Sequence, residues 1–271
     1  LKPTILSLSF LSVLSGVAIS PALGQIRLAF PQASDLAIQM VLTLPPLLVI
    51  PVSLLSGALT LKFKTRHLLF VGLIIYIVGG LGGGLVNSMG LLLFTRALLG
   101  IGNGFVAPLS LSLIADFYQG EERANTMGLS SAMATLSGII MPLISGWLAV
   151  YNWHYAFGAY LISLPIFVLI WFYLPEPPAT QKSKLALHQL PKMVYGLGVL
   201  TFLLMIVFYL IPTRTALFML ESGIGNSSQS GLVIAALNVS AFLIGLRFGA
   251  LRALLKRYVN LFGVIMLAAG L

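Results

Sequence analysis

Residues 91–115 read LLLFTRALLGIGNGFVAPLSLSLIA, and this run decides the fold. It is longer than the ~20 apolar residues a helix needs to cross a bilayer, and its only charge is Arg96. Seven further runs have the same character, at 5–24, 37–58, 68–87, 125–150, 154–174, 194–220 and 230–251. A ninth begins near residue 259 and stops at Leu271, too short to cross. The chain also opens on Leu1 rather than Met, so we expect a piece of a longer protein. The first run lacks a small-residue cleavage site and reads as a span, not a signal peptide.

Composition agrees. Of 271 residues, 59% are hydrophobic and 8% charged, with a mean hydropathy of +1.04. Soluble domains carry roughly 25% charge. A soluble globule, a nucleic-acid-binding module and a disordered chain are therefore excluded. The net charge of +9 belongs to the loops of a membrane protein. With no Cys, the chain has no disulfide framework, thiol catalysis or thiolate metal site.

Loop charge sets sidedness. With the N-terminus inside, the inside segments hold Lys2, Lys62, Lys64, Arg66, Arg123, Lys182, Lys184, Lys192, Arg252, Lys256 and Arg257. The outside segments hold Arg27 and Arg214. This asymmetry places the N-terminus in the cytoplasm. The one break in composition, Pro-Glu-Pro-Pro followed by a polar stretch, divides the chain. We read 1–174 as a six-helix bundle, 175–193 as a cytoplasmic linker, and 194–271 as a partial second bundle. Repetition supports that division. Gly57-Ala58-Leu59 and Gly249-Ala250-Leu251 close equivalent spans, and Pro21 and Pro212 stand at nearly the same offset.

These residues resemble the major facilitator superfamily, whose members are built from two parallel six-span halves. The loop after the second span is similar to the family pattern Gly-x-x-x-Asp-x-x-Gly-Arg-Arg/Lys. Gly57, Lys62 and Arg66 stand in it, but Leu61 replaces the Asp and Lys64 the Gly. Arg96-Ala-Leu-Leu-Gly100-Ile-Gly102-Asn103-Gly104 resembles the family's fourth-span motif, and Asp116 through Arg123 extends the likeness. Gly128, Pro142 and Gly146 remain from its antiporter motif. Trp153 to Phe157 and Leu174 to Pro177 complete the resemblance, which looks most like the drug–proton antiporter branch. It implies an all-α bundle of twelve spans when complete, truncated here after about eight and a half, with substrate held between the halves.

Candidate site residues follow. Arg96, Asn103 and Ser110 are seven apart and share one helix face. Two readings of Arg96 are open: it snorkels to the outer interface, or it faces a water-filled cavity with Asn103 and Ser110. Arg214, just past Pro212, is either an interfacial charge or a second cavity cation that would favour anionic cargo. Gly100 and Gly104 form a seam for close helix packing. Asp35 is the candidate for proton coupling, with a helix N-terminal charge as the plainer alternative. Gly57, Lys62, Lys64, Arg66, Asp116, Glu122 and Arg123 form the candidate conformational-switch loops. No metal site, cofactor or catalytic residue is assigned.

We therefore expect a monomeric, multi-pass secondary transporter of the cell membrane, by family habit the bacterial inner membrane. It would couple export of small organic compounds or drugs to protons, and its partners are a small-molecule substrate, protons and the lipid bilayer, with no nucleic acid. Uptake or exchange of an anionic metabolite is the alternative within transport. An intramembrane enzyme has no supporting motif here, and a non-transporting fragment is the remaining alternative.

Overall fold

The computed structural model describes residues 1–177 and 192–255. The linker residues 178–191, with Lys182 and Lys184, lie outside the described residues, as do the ninth run and Lys256 and Arg257. The described chain is helical: α1 (Lys2–Val17), α2 (Leu23–Ala29), α3 (Asp35–Leu59), α4 (Thr65–Gly82), α5 (Met89–Phe117), α6 (Gly120–Tyr151), α7 (Trp153–Ala156), α8 (Ser163–Tyr173), α9 (Lys192–Glu221) and α10 (Ser227–Leu255). Three short 3-10 turns join them, at Ser20–Ala22, Gly83–Leu85 and Phe157–Ile162. Five stretches among the described residues are long and apolar enough to cross a membrane.

Alternation of direction sorts the connections to two ends. The basic end carries Lys2, the loop from Lys62 to Arg66, the α5–α6 turn and the end of α8. The far end carries Arg27 to Asp35, the α4–α5 turn, Asn152 and the α9–α10 turn.

The expected first span is interrupted. It ends as α1 at Val17, passes through a 3-10 turn containing Pro21, and resumes as α2. Conversely, α9 runs unbroken past Pro212. Thr213 Oγ1 donates to the carbonyl of Tyr209 at 2.6 Å, and Thr215 Oγ1 to that of Ile211 at 2.7 Å. Such hydroxyls satisfy backbone acceptors around a membrane proline.

α5 is the centre of the group α1–α8, the first unit. Buried residues make up 61% of its most apolar window, against 22% for α3, so α3 is the more exposed of the two. The expected glycine seam lets α3 and α5 meet at backbone distance. A Cβ on Gly100 would stand 2.6 Å from the Pro45 carbonyl oxygen, and one on Gly104 2.6 Å from Val52 Cβ. On the other side, Tyr76 of α4 donates its hydroxyl to Leu11 O of α1 at 2.9 Å.

Candidate functional site

The site is the junction between the first unit and α9–α10. It starts from the break in the first span. Leaving helical geometry there frees backbone acceptors, and Ser145 Oγ of α6 donates to one of them, Ala18 O. Ser20, inside the break, turns outward and donates its hydroxyl to the Pro212 carbonyl of α9. One turn further, a Cβ on Gly24 would lie 3.1 Å from Ala216 O and 3.5 Å from Leu220 Cβ, both on α9.

α6 meets α10 in the same way. A Cβ on Gly146 would stand 2.7 Å from Ser227 O and 3.3 Å from Gly231 Cα, and one on Gly231 would stand 2.5 Å from Pro142 O. These distances leave room only for hydrogen at either glycine. Nearer mid-depth, a Cβ on Gly138 would approach Asn238 Oδ1 to 2.6 Å. The void left between Pro21, Gly24, Ala216 and Ser227 is about 20 Å³, room for roughly one water. The named contacts across the junction thus run from the far end to mid-depth. Toward the basic end, Gly196 of α9 has no atom within 4 Å of a built Cβ.

A polar seam lines the first unit beside this junction. Asn103 Nδ2 donates to Ser15 Oγ at 2.7 Å and to Ser12 O at 3.1 Å, fastening α5 to α1. Ser9 and Ser130 share a hydrogen bond of 2.7 Å between α1 and α6. Asn103 Oδ1 and Ser137 Oγ are buried with no hydrogen-bond partner.

The stripe of Arg96, Asn103 and Ser110 exists as spaced, yet it is packed within the first unit. The three side chains are 1%, 4% and 2% exposed. Arg96 neither snorkels nor faces water. Its Nη2 donates to Gly79 O at 2.6 Å and Gly80 O at 3.2 Å, and its Nη1 to the Tyr160 hydroxyl at 3.2 Å. Its guanidinium lies 4.6 Å from the Phe157 ring centroid. The physical reason is the end of α4. Its last-turn carbonyls have no helical donors, and a cation at a helix C-terminus is favoured by the dipole. Arg96 therefore clasps α4 to the α7–α8 turn region.

Arg214 is exposed on α9 in an open groove of about 620 Å³ with Thr215, Phe218 and Glu221. It does not join Arg96 in a common positive site. Asp35 is also placed elsewhere than an interior coupling acid would be. It lies at the start of α3, capped by Ser34, and pairs with Arg27 at 3.0 Å, its side chain 77% exposed.

The candidate switch residues are only partly brought together. Gly57, Lys62 and Lys64 are exposed. Arg66 Nη2 donates to Trp171 O at 2.8 Å, tying α4 to α8. Asp116 accepts from Ser112 at 3.4 Å. Glu122 pairs with Lys2 of α1 at 2.7 Å instead of with the basic loop, and that hydrogen bond raises the Lys2 pKa. Arg123 is exposed. Of the antiporter-motif residues, Pro142 and Gly146 stand in the junction, whereas Gly128 is exposed with nothing near it. Sequence reasoning missed Ser20 and Gly231; the paired prolines at 21 and 212 were the available signal.

Relatives share segments of this chain. The multidrug transporter protein MdtP of Bacillus subtilis is 34% identical over 106 residues, which cover 38% of this chain and 19% of that protein. The multidrug efflux pump SdrM of Staphylococcus aureus is 28% identical over 156 residues, 55% of this chain and 34% of the pump. The chain thus matches a fifth to a third of the length of these relatives. Among solved structures, a bacterial homolog of the human lysosomal transporter Spinster, inward-facing and unoccupied, superposes with a TM-score of 0.72 at 20% identity. That match covers 94% of this chain and 62% of the other. A D-xylose–proton symporter superposes with a TM-score of 0.68 at 17% identity, over 94% of this chain and 68% of that one. The family model described as Major Facilitator Superfamily matches residues 5–271. On that match, and with its helical fold, the chain belongs to the major facilitator superfamily.

Proposed function

We propose that this chain is part of an alternating-access secondary transporter that exports small organic compounds in exchange for protons. The observation that carries the reading is the close junction at the far end. Ser20, Gly24, Gly146 and Gly231 bring the two units to backbone distance at the far end and at mid-depth. A carrier closed on one side needs contacts of this kind, small enough to separate without dragging bulky side chains through each other. Substrate would sit on the basic side of that closure, at the depth of Ser137, Asn238 and the Asn103 seam. The relatives named multidrug transporters and efflux pumps support export of small organic compounds. Proton exchange rests on the same likeness and not on Asp35.

The basic end would be cytoplasmic, by the charge asymmetry of the loops, in a bacterial inner membrane, and the transporter a monomer. No catalytic role is assigned to any residue. The anionic-cargo alternative loses its proposed site, because Arg96 is spent on α4 and Arg214 points elsewhere.

The test uses the full-length protein in liposomes with an internal pH-sensitive dye and an imposed proton gradient. Cationic, neutral and anionic compounds are added in turn. Dissipation of the gradient that depends on a compound is expected. Compound movement with no proton flux would remove the exchange mechanism, and no movement of any compound would remove the transport reading.

A further inference from the structure

The basic end holds a second pocket, outside the junction. It measures about 300 Å³ and is lined by Lys64, Arg66, His67, Phe70, Trp171 and Glu176. It lies where α4 begins and α8 ends, the level at which spans leave the apolar core. Its aromatic wall is continuous with a lipid-facing surface, since Trp171, Phe172 and Tyr173 are 53%, 74% and 69% exposed. Aromatic side chains concentrate at this depth in membrane proteins.

Among the described residues, no ion pair reaches Lys64 or Arg66. The loop carries Leu61 where an acid would complete the family pattern, so Glu176 is the one carboxylate in the lining of the pocket. Arg66 is fixed from two sides, by its bond to Trp171 O at 2.8 Å and by the Phe70 ring at 5.4 Å. Its Nε is nevertheless buried without a hydrogen-bond partner. A buried guanidinium N–H with no acceptor is costly, and a guanidinium nitrogen turned to the pocket remains free to meet an oxyanion. Lys64 caps α4 without a side-chain hydrogen bond, so the helix start also offers positive potential. Glu176 on the rim accepts hydrogen bonds from hydroxyl groups but opposes a second anion.

We propose that this pocket binds the phosphodiester headgroup of an anionic, hydroxyl-bearing membrane phospholipid. The phosphate would sit between Arg66 and Lys64, its acyl chains along Phe70 and Trp171, and its headgroup hydroxyls toward Glu176. Basic pockets between spans on the cytoplasmic side recognise such lipids.

The full-length protein in mild detergent, mixed with equal amounts of phosphatidylglycerol, phosphatidylcholine and phosphatidylethanolamine, is analysed by native mass spectrometry. Retained phosphatidylglycerol is expected in excess. Each cation near an anionic headgroup is worth about fivefold in affinity, so Arg66→Gln should lower that excess about fivefold and K64Q/R66Q should abolish it. Equal retention of the three lipids, preference for phosphatidylethanolamine, or an unchanged excess in K64Q/R66Q would overturn the proposal. Displacement of the lipid by inorganic phosphate alone would also overturn it, by showing a site for the free ion. Should K64Q/R66Q fail to fold, Glu176→Gln decides. Removing the opposing charge should increase phosphatidylglycerol retention, and no increase would count against the site.

Discussion

The two ends of the molecule are built from opposite materials. At the far end, contacts depend on residues that are small or buried: Gly79, Gly146, Gly231, Ser20 and the clasped Arg96. At the basic end they depend on long, exposed side chains, of which the Lys2–Glu122 pair, 46% and 56% exposed, is the example. Close backbone packing is intolerant of added volume, whereas an exposed ion pair contributes little and is screened by salt. The far end should therefore tolerate no added volume when closed, and the basic end should behave as a set of replaceable contacts.

The largest effect is expected at Gly79. A Cβ there would collide with the backbone of Leu98 and Leu99 of α5, so Gly79→Val should destabilise the first unit by about 3 kcal/mol. Thermal unfolding in detergent would read this as a large fall in Tm. Next is Arg96→Leu, which leaves the carbonyls of Gly79 and Gly80 and the Tyr160 hydroxyl without their donor. A loss of about 2 kcal/mol follows, and Arg96→Lys should recover part of it. A variant that stays fully stable yet changes the charge of compound transported would return Arg96 to the substrate cavity.

Gly146→Leu acts first on the junction, where a Cβ meets Ser227 O at 2.7 Å, and also presses on Pro21 Cβ at 3.2 Å. It should disfavour the closed far end by about 1–2 kcal/mol. Increased water accessibility of a cysteine introduced at Ser20, with little change in Tm, is the expected signature. Smallest of all, Lys2→Ala should leave Tm unchanged within error. A drop as large as that of Arg96→Leu would show that the basic end is as rigidly fitted as the far end.

Much of this contrast was legible in the residues. Span positions followed from apolar length, and the Gly100–Gly104 seam followed from helical spacing and small size. Arg96 was singled out correctly as a residue needing an explanation, but its partners were not legible. They are backbone carbonyls of Gly79 and Gly80, and a carbonyl has no identity in a sequence. The break in the first span was equally hidden. Pro21 is compatible with an intact membrane helix, as Pro212 demonstrates in α9, and which proline interrupts its helix depends on neighbours such as Ser145. Asp35 was legible as a charge at a helix start, but spacing could not reveal Arg27 across the turn.

The chain contains no Cys, so cysteines introduced into it have no native neighbour within these residues. Gly24 and Leu220 face each other across the junction, with a built Gly24 Cβ 3.5 Å from that of Leu220, within the Cβ separation of a disulfide. In the full-length protein, Gly24→Cys with Leu220→Cys should cross-link on mild oxidation. The cross-link should stop transport, and reductant should restore it, because the far end must open in each cycle. Failure to cross-link would contradict closure at this end, and undiminished transport by the cross-linked protein would contradict its opening.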